Sequence, residues 1–185
     1  MSEPNSLFAK IHITKDNFDA FLKTQPAHPK LHTNWLEWWN SKKMYGKTDL
    51  QEKDIYCYDK LTNASIIQAW IETKESLTFS DYDNENGIWY FGIIMFAENY
   101  FDMIPGLAFV KSVSEFKDTN EDDFAIIYSY FWGSNDIHAY VCYENGHGLF
   151  DTNIQHKTDI DSYALKHMEE YLSKKYDQLT ESYDD

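Results

Sequence analysis

The sequence predicts an α+β fold, in which N-terminal helices and a C-terminal helix pack on a mostly antiparallel sheet of about five to seven strands. Short segments rich in β-branched and aromatic residues follow one another through the middle of the chain, separated by turn residues. Segments with helical spacing of apolar residues flank this region on both sides. At 185 residues, 43% of them hydrophobic, one core is expected. The prediction is a single domain over residues 1–185, with 1–6 and 180–185 as peripheral tails.

The first elements are a strand and two helices. Residues 7–13, LFAKIHI, alternate apolar and polar side chains as a half-buried strand does. Residues 14–25 are typical of an amphipathic helix with Thr14 as its N-cap. A second helix is predicted over 31–46, where Gly46 ends it and one apolar stripe contains Leu31, Trp35, Trp38 and Trp39. The tryptophans of this stripe are therefore assigned to the core.

Six strand segments are predicted in the middle of the chain. They are SIIQAWIET (65–73), SLTFSDY (76–82), IWYFGIIMF (88–96), GLAFVKSV (106–113), FAIIYSYFW (124–132) and DIHAYVCYE (136–144). The third and fifth are apolar on both alternating faces, so helices are expected to cover both faces of the sheet near its centre. A last helix is predicted over 158–179, behind a Thr158 or Asp159 cap, with an apolar stripe of Ile160, Ala164, Met168, Tyr171 and Leu172.

Residues 138–151, HAYVCYENGHGLFD, predict a β-hairpin. Asn145-Gly146 favours a type I′ turn, because that turn needs positive φ at both central residues. Pairing from this turn places Glu144 opposite His147. By the period of two, the core face holds Ile137, Ala139, Val141, Tyr143 and Phe150, and the polar face holds His138, Tyr140, Cys142, Glu144, His147 and Asp151.

The polar face of this hairpin raises two chemical alternatives. His147 is diagonal to Cys142 with Glu144 nearby, an arrangement compatible with a Cys-His hydrolase. A metal held by His138, His147 and Asp151 is the second alternative. However, no positive group is predicted near Cys142 to lower the pKa of its thiol, and no glycine-rich oxyanion element follows it. Cys142 is therefore not expected to be a nucleophile.

The charge distribution excludes several classes of function. The formal net charge is -15, and residues 81–151 carry thirteen acids against two lysines. All sixteen basic residues are lysines, so the guanidinium fork that reads bases and clamps phosphates is absent, and nucleic-acid binding is not expected. No phosphate-binding glycine loop, G-x-S-x-G or H-E-x-x-H motif occurs. Neither an enzyme nor a bound cofactor or metal is therefore expected.

The chain also lacks signals for export or membrane insertion. Its first residues, MSEPNSLFAK, contain no apolar run, and no segment approaches the roughly 20 apolar residues of a membrane span. The two cysteines, Cys57 and Cys142, are far apart in the sequence and form no C-x-x-C pair, so free thiols are expected. A cytoplasmic protein without membrane contact is predicted.

Acidic and aromatic residues together predict a protein-binding surface. The segments SDYDNEN (80–86) and KDTNEDD (117–123) contribute to its predicted residues, which are Asp81, Asp83, Glu85, Glu121, Asp122, Asp123, Trp132 and Asp136. Aromatic anchors surrounded by carboxylates suit a basic cleft on another protein. In this character and in its size, the chain resembles the small acidic immunity proteins that bacteria co-produce with toxins. The resemblance implies an inhibitor of a cognate toxin, such as a nuclease or another enzyme with a basic substrate cleft.

Another class of function, a phage-type anti-defence protein that mimics nucleic acid, is the leading alternative. It would need carboxylates at about phosphate spacing along an extended surface, whereas the strands with two apolar faces predict a compact shape. The hydrolase on the 138–151 hairpin is the enzymatic alternative.

Overall fold

The computed structural model describes residues 4–55, 58, 60–117 and 122–181. Within these residues the chain forms a six-stranded antiparallel sheet and six α-helices. The strands are β1 (Asn5–His12), β2 (Thr78–Asp83), β3 (Ile88–Ala97), β4 (Phe124–Tyr128), β5 (Ile137–Glu144) and β6 (His147–Phe150). The helices are α1 (Lys15–Lys23), α2 (Thr33–Ser41), α3 (Glu52–Ile55), α4 (Asn63–Glu72), α5 (Tyr100–Ser112) and α6 (Ser162–Glu181). The predicted α+β class is thus confirmed.

The first strand lies at the centre of the sheet, whose order is β2-β3-β1-β4-β5-β6. It pairs with β3 on one side and with β4 on the other. Its side chains alternate between two cores, with Leu7 in one and Phe8 in the other. The strand begins at Asn5, so residues 5 and 6, which were expected in a peripheral tail, are instead buried.

Helices cover both faces of the sheet, as the two-sided apolar strands predicted. Side chains from α1 to α5 form the larger core with one face, and α6 packs Met168 and Leu172 on the other. In β4 the alternation is complete, because Ile127 enters the larger core and Ile126 enters the smaller one. Among the helices described here, none is long and apolar enough to cross a lipid bilayer.

The tryptophan stripe of α2 is buried, as predicted, but the helix ends earlier than predicted. Trp35, Trp38 and Trp39 are each at most 2% exposed. The Lys47 ammonium donates to the carbonyl oxygens of Trp39 and Lys42 at 2.7 and 2.8 Å. These bonds satisfy carbonyls left free at the end of the helix, and α2 ends at Ser41 rather than at Gly46.

Two of the predicted strands are helices, so that prediction was wrong. Residues 65–72 of the first segment lie in α4, which begins where the Thr62 hydroxyl accepts a hydrogen bond from the Ser65 N–H at 3.2 Å. Residues 106–112 of the second segment lie in α5, and all of them except Lys111 are buried. A helix buried on all sides shows no 3.6-residue period, so its apolar run cannot be distinguished from a buried strand by pattern.

Two predicted boundaries also differ. The strand β4 ends at Tyr128, so residues 129–132 leave the sheet. The last helix begins at Ser162. The Asp161 carboxylate caps it and accepts the backbone N–H groups of Tyr163 and Ala164 at 3.1 and 3.0 Å. The predicted cap Asp159 instead accepts the backbone N–H of His156 at 2.8 Å.

The predicted hairpin forms with the predicted register. Asn145 and Gly146 have φ values of 50° and 75°, as a type I′ turn requires. Glu144 pairs with His147 across the turn. Ala139, Val141, Tyr143 and Phe150 all enter the larger core, as predicted.

A β-bulge at the start of β5 changes one assignment. Ile127 pairs with Ala139 and Tyr128 pairs with Ile137, so His138 is an extra residue opposite no partner. The bulge reverses the alternation, and Ile137 therefore packs in the smaller core rather than beside Ala139. Bulges commonly redirect a side chain near a functional site.

Candidate functional site

One end of the sheet collects carboxylates from three elements. We call it the acidic end, and its members are Asp16, Asp19, Asp83, Glu85 and Asp122. The β2–β3 turn and the start of β4 lie on either side of β1, two strand spacings or about 10 Å apart. Partial burial raises the pKa of Tyr82 above its ordinary value; the Lys15 ammonium opposes this rise, and the carboxylates of Asp19, Asp83 and Asp16 add to it. The structure thus brings Asp83, Glu85 and Asp122 to one end of the molecule.

Asp123, which was expected at the partner-binding surface, lies in the interior. The residue is 2% exposed, and its carboxylate lies 2.8 Å from the Lys117 ammonium. It also accepts the backbone N–H of His12 at 2.8 Å. The Lys117 side chain is only 4% exposed, so this pair is closed off from solvent. The placement corrects the predicted role of Asp123, because a buried carboxylate cannot contact a partner.

Other predicted acids also make contacts within the chain. Asp81 accepts a hydrogen bond from the Tyr171 hydroxyl at 2.9 Å and pairs with the Lys175 ammonium at 2.8 Å. Asp83 accepts two backbone N–H groups of its own turn at 2.9 and 3.2 Å. Glu85 and Asp122 are exposed, whereas Glu121 lies outside the described residues.

An apolar groove lies at the opposite end of the sheet. We call it the aromatic groove, and its lining residues are Lys74, Glu75, Leu77, Met95, Phe131, Trp132 and Tyr176. Its volume is about 580 Å³. Trp132 is 54% exposed, Phe131 37% and Met95 36%. The groove therefore presents a concave apolar surface to solvent.

The groove exists because β4 ends before its apolar run does. Residues 129–132 turn away from the sheet, and the Phe131 ring packs against Tyr176 of α6 with 5.1 Å between ring centroids. Along β3, Ile88 and Met95 are about 23 Å apart at about 3.3 Å per residue. Trp132 therefore does not share a surface with Asp83 and Glu85, although the sequence suggested one contact region for all three.

The polar face of the hairpin shows no Cys-His pair in the described part of the chain. The Cys142 thiol donates to the carbonyl oxygen of Leu149 at 3.5 Å, and His147 forms no hydrogen bond with it. His138 and Glu144 lie six positions apart in β5, about 20 Å along the strand, which separates His138 from His147. Within the described residues, no group of three or more His, Cys, Asp or Glu side chains could hold a metal ion.

Cys142 is expected to react slowly with thiol reagents at neutral pH. Burial first, and then the carboxylates of Glu144 and Asp151, raise the pKa of this thiol above its ordinary value of 9. Because the thiolate is the reactive species, the rate should rise with pH until it passes that value. Reaction with a disulfide reagent between about pH 7 and about pH 10 measures this in a Cys57→Ser background. A rate that is already constant by about pH 8 would contradict the assignment.

A polar cleft of about 300 Å³ opens where the end of α2, the first residue of α5 and the start of β5 meet. We call it the lysine cleft, and its charged or titratable lining residues are Lys42, Lys43, Tyr100, Asp136, His138, Tyr140, Asp151 and His156. Sequence reasoning singled out His138 and Asp136, and Tyr100 as an aromatic residue of the acidic segment, but it did not single out Lys42 or connect these residues in one cleft. Tyr100 lies 38 positions before His138, and no local pattern connects two residues so far apart.

Comparison with known proteins identifies no relative of this chain. No protein-family model matches it, and neither a curated protein sequence nor a solved structure does. Its function is therefore inferred from the residues and contacts themselves.

Proposed function

We propose that this chain is an acidic binding protein that inhibits a basic partner protein, and that the partner docks on the aromatic groove. The observation that carries the proposal is the groove itself. Met95, Phe131 and Trp132 line one concave surface, although they are 36% to 54% exposed. Contiguous exposed apolar surface marks interaction sites, and aromatic side chains in pockets are typical hot spots of binding.

The groove extends toward α5. A second depression of about 370 Å³ shares Glu75 and Met95 with the groove and continues to Phe96 and Pro105. The lining of the two depressions combines apolar residues with the charged residues Lys74, Glu75 and Asp102, and protein interfaces likewise combine apolar and charged side chains. The combined surface offers room for several side chains of a partner.

The charges around the groove favour a basic partner. Glu75 and Asp102 line the two depressions, and Asp177 acts electrostatically on Tyr130, which precedes the groove residues. Lys74 is the opposing charge in the groove lining. The net charge of -15 attracts a cationic protein from a distance and raises its association rate. The acidic end adds to this attraction at low salt without touching a ligand in the groove.

In its finer form, the proposal is an immunity protein in the cytoplasm of a bacterium, whose partner is a cognate toxin with a basic active-site cleft. An acidic protein that covers such a cleft would exclude an anionic substrate, because both would compete for the same lysines and arginines. Two features support this form: the net negative charge of the chain and the aromatic groove.

Replacing Phe131 and Trp132 together with alanine is expected to weaken partner binding about 100-fold, mainly through faster dissociation. The reason is that both side chains supply exposed apolar area that a partner would bury. The partner is sought by co-expression with the product of the neighbouring gene, and binding kinetics are then measured at low and high salt.

Tyr163→Ala is the matched control for this experiment, because Tyr163 is 70% exposed on α6 and does not line the groove. Glu85→Gln at the acidic end should lower the association rate and its salt dependence while leaving dissociation unchanged. Equal affinity of the groove variant and the Tyr163 variant would contradict the docking surface. A partner with a net negative charge would contradict the basic-partner proposal.

A further inference from the structure

The lysine cleft contains a partly buried cation, the ammonium group of Lys42. Lys42 is partly buried at the end of α2, and among the described residues no carboxylate oxygen lies within 4 Å of its ammonium group. The ammonium lies over the Tyr100 ring, 5.8 Å from its centroid. Buried charges in proteins are normally paired, and this chain has 31 acids for its 16 lysines. An unpaired, partly buried lysine in such a chain indicates a site for an external anion.

A second charged residue, Asp136, lines the same cleft as Lys42. The Tyr100 hydroxyl and His138 Nδ1 are hydrogen-bonded at 3.3 Å. Both Lys42 and Asp136 act electrostatically on His138, but they form no ion pair with each other. The cleft therefore holds a positive and a negative group around one imidazole, separated by more than the 4 Å of an ion pair.

The negative wall of the cleft is Asp136, which lies on a segment whose backbone is hydrogen-bonded to the segment around residues 155 and 156. Residue 136 forms an isolated β-bridge with residue 156, and the Ile137 N–H donates to the Gln155 carbonyl at 2.7 Å. The Asp136 carboxylate contacts His156 Nδ1 at 3.3 Å and accepts the Ser134 hydroxyl at 3.2 Å. Its side chain is nevertheless 64% exposed, so it can accept further hydrogen bonds from a ligand.

We propose that the lysine cleft binds a small zwitterion of the α-amino acid type, with the ligand carboxylate against Lys42 and the ligand ammonium against Asp136. A simple anion would also meet the carboxylates of Asp136 and Asp151, whereas a simple cation would meet Lys42. A dipolar ligand is the one that complements both walls. The volume of about 300 Å³ is at the lower end for small-molecule pockets.

The electrostatics of the cleft agree with this assignment. Burial lowers the pKa of Lys42 from its ordinary 10.5 to about 8. Burial, and then the Lys42 charge, lower the pKa of His138. A bound carboxylate would favour the charged form of Lys42, so ligand binding should raise the pKa of this lysine.

The test is an NMR titration of the full chain with free amino acids that increase in size from glycine to glutamine. The resonances of the Lys42 side chain and the His138 ring should move in a saturable way, and the pKa of Lys42 should increase. Acetate and methylammonium represent the two halves of glycine, and each is expected to bind at least about tenfold more weakly than glycine.

Lys42→Met and Asp136→Asn should each abolish the amino-acid response of His138. Asp136 is exposed, so its variant remains informative if the lysine variant is unstable. Lys174→Met is the control, because Lys174 is an exposed lysine of α6 outside the cleft, and it should leave the response unchanged. The proposal is overturned if no amino acid moves these resonances, if acetate binds as tightly as glycine, or if the Asp136 variant responds like the natural chain. The groove and the cleft share no residue, so either proposal can fail alone.

Discussion

Replacing Trp38 with alanine is expected to lower the free energy of unfolding by about 3–5 kcal/mol, enough to unfold a marginally stable domain. The side chain is 2% exposed and stacks on Phe150 with 5.0 Å between ring centroids. Its Nε1–H donates to the carbonyl oxygen of His138 at 3.0 Å. The substitution would therefore create a large cavity and remove the donor of a partly buried carbonyl.

Denaturant unfolding, monitored by circular dichroism, measures this loss against a matched control. Trp132→Ala removes the same side chain from a position that is 54% exposed, and its cost should stay within about 1 kcal/mol. If the two variants unfold at the same denaturant concentration, the assignment of Trp38 to the core is wrong.

Replacing Asp123 with asparagine is expected to cost about 3–5 kcal/mol of unfolding free energy. The change leaves the Lys117 ammonium, which belongs to a side chain only 4% exposed, without the carboxylate that lies 2.8 Å away. It also weakens the contact of Asp123 with His12, where Oδ1 and Nδ1 are 2.6 Å apart. The contact between His12 and Asp123 joins the end of β1 to the segment before β4, so the loss of the Asp123 carboxylate affects both segments.

A double-mutant cycle separates the ion pair from other effects of these substitutions. Lys117→Met combined with Asp123→Asn should be more stable than the sum of the single losses predicts, by about 1–3 kcal/mol. The exposed pair of Lys15 and Asp19, with side chains 52% and 43% exposed, is the control and should show less than about 1 kcal/mol of coupling. Strict additivity at Lys117 and Asp123 would show that the buried contact contributes nothing.

Much of the fold could be predicted because its patterns are local. The hairpin register followed from Asn145-Gly146 alone, and the alternation of β3 and β4 correctly indicated helices on both faces. The helix α5 could not be predicted in this way, since burial on every side removes the period on which the assignment depends. The bulge at His138 also escaped prediction, because it depends on how β5 pairs with β4.

The candidate sites were less predictable, since they depend on which distant segments meet. A run of acids is typical of a solvated loop, yet Asp123 is buried and pairs with Lys117, six positions earlier. Trp132 is exposed because β4 ends at Tyr128. The sequence does not indicate this end, since the apolar run continues to residue 132. Lys42 is the residue directly after α2, and the sequence predicted it inside a helix that ran on to Gly46.

The central position of β1 has a consequence for how the protein is made. β1 is synthesised before the other five strands, but its neighbour β4 pairs Tyr128 with Ser6, a partner synthesised more than a hundred residues earlier. At a synthesis rate of about 5–20 residues per second, roughly 6–25 seconds pass between the synthesis of β1 and that of β4. During that interval the apolar side chains of β1, Leu7, Phe8 and Ala9 among them, have no native partner strand on that side. The chain therefore combines slow, long-range strand pairing with an early exposed strand, a combination that makes nascent chains clients of molecular chaperones.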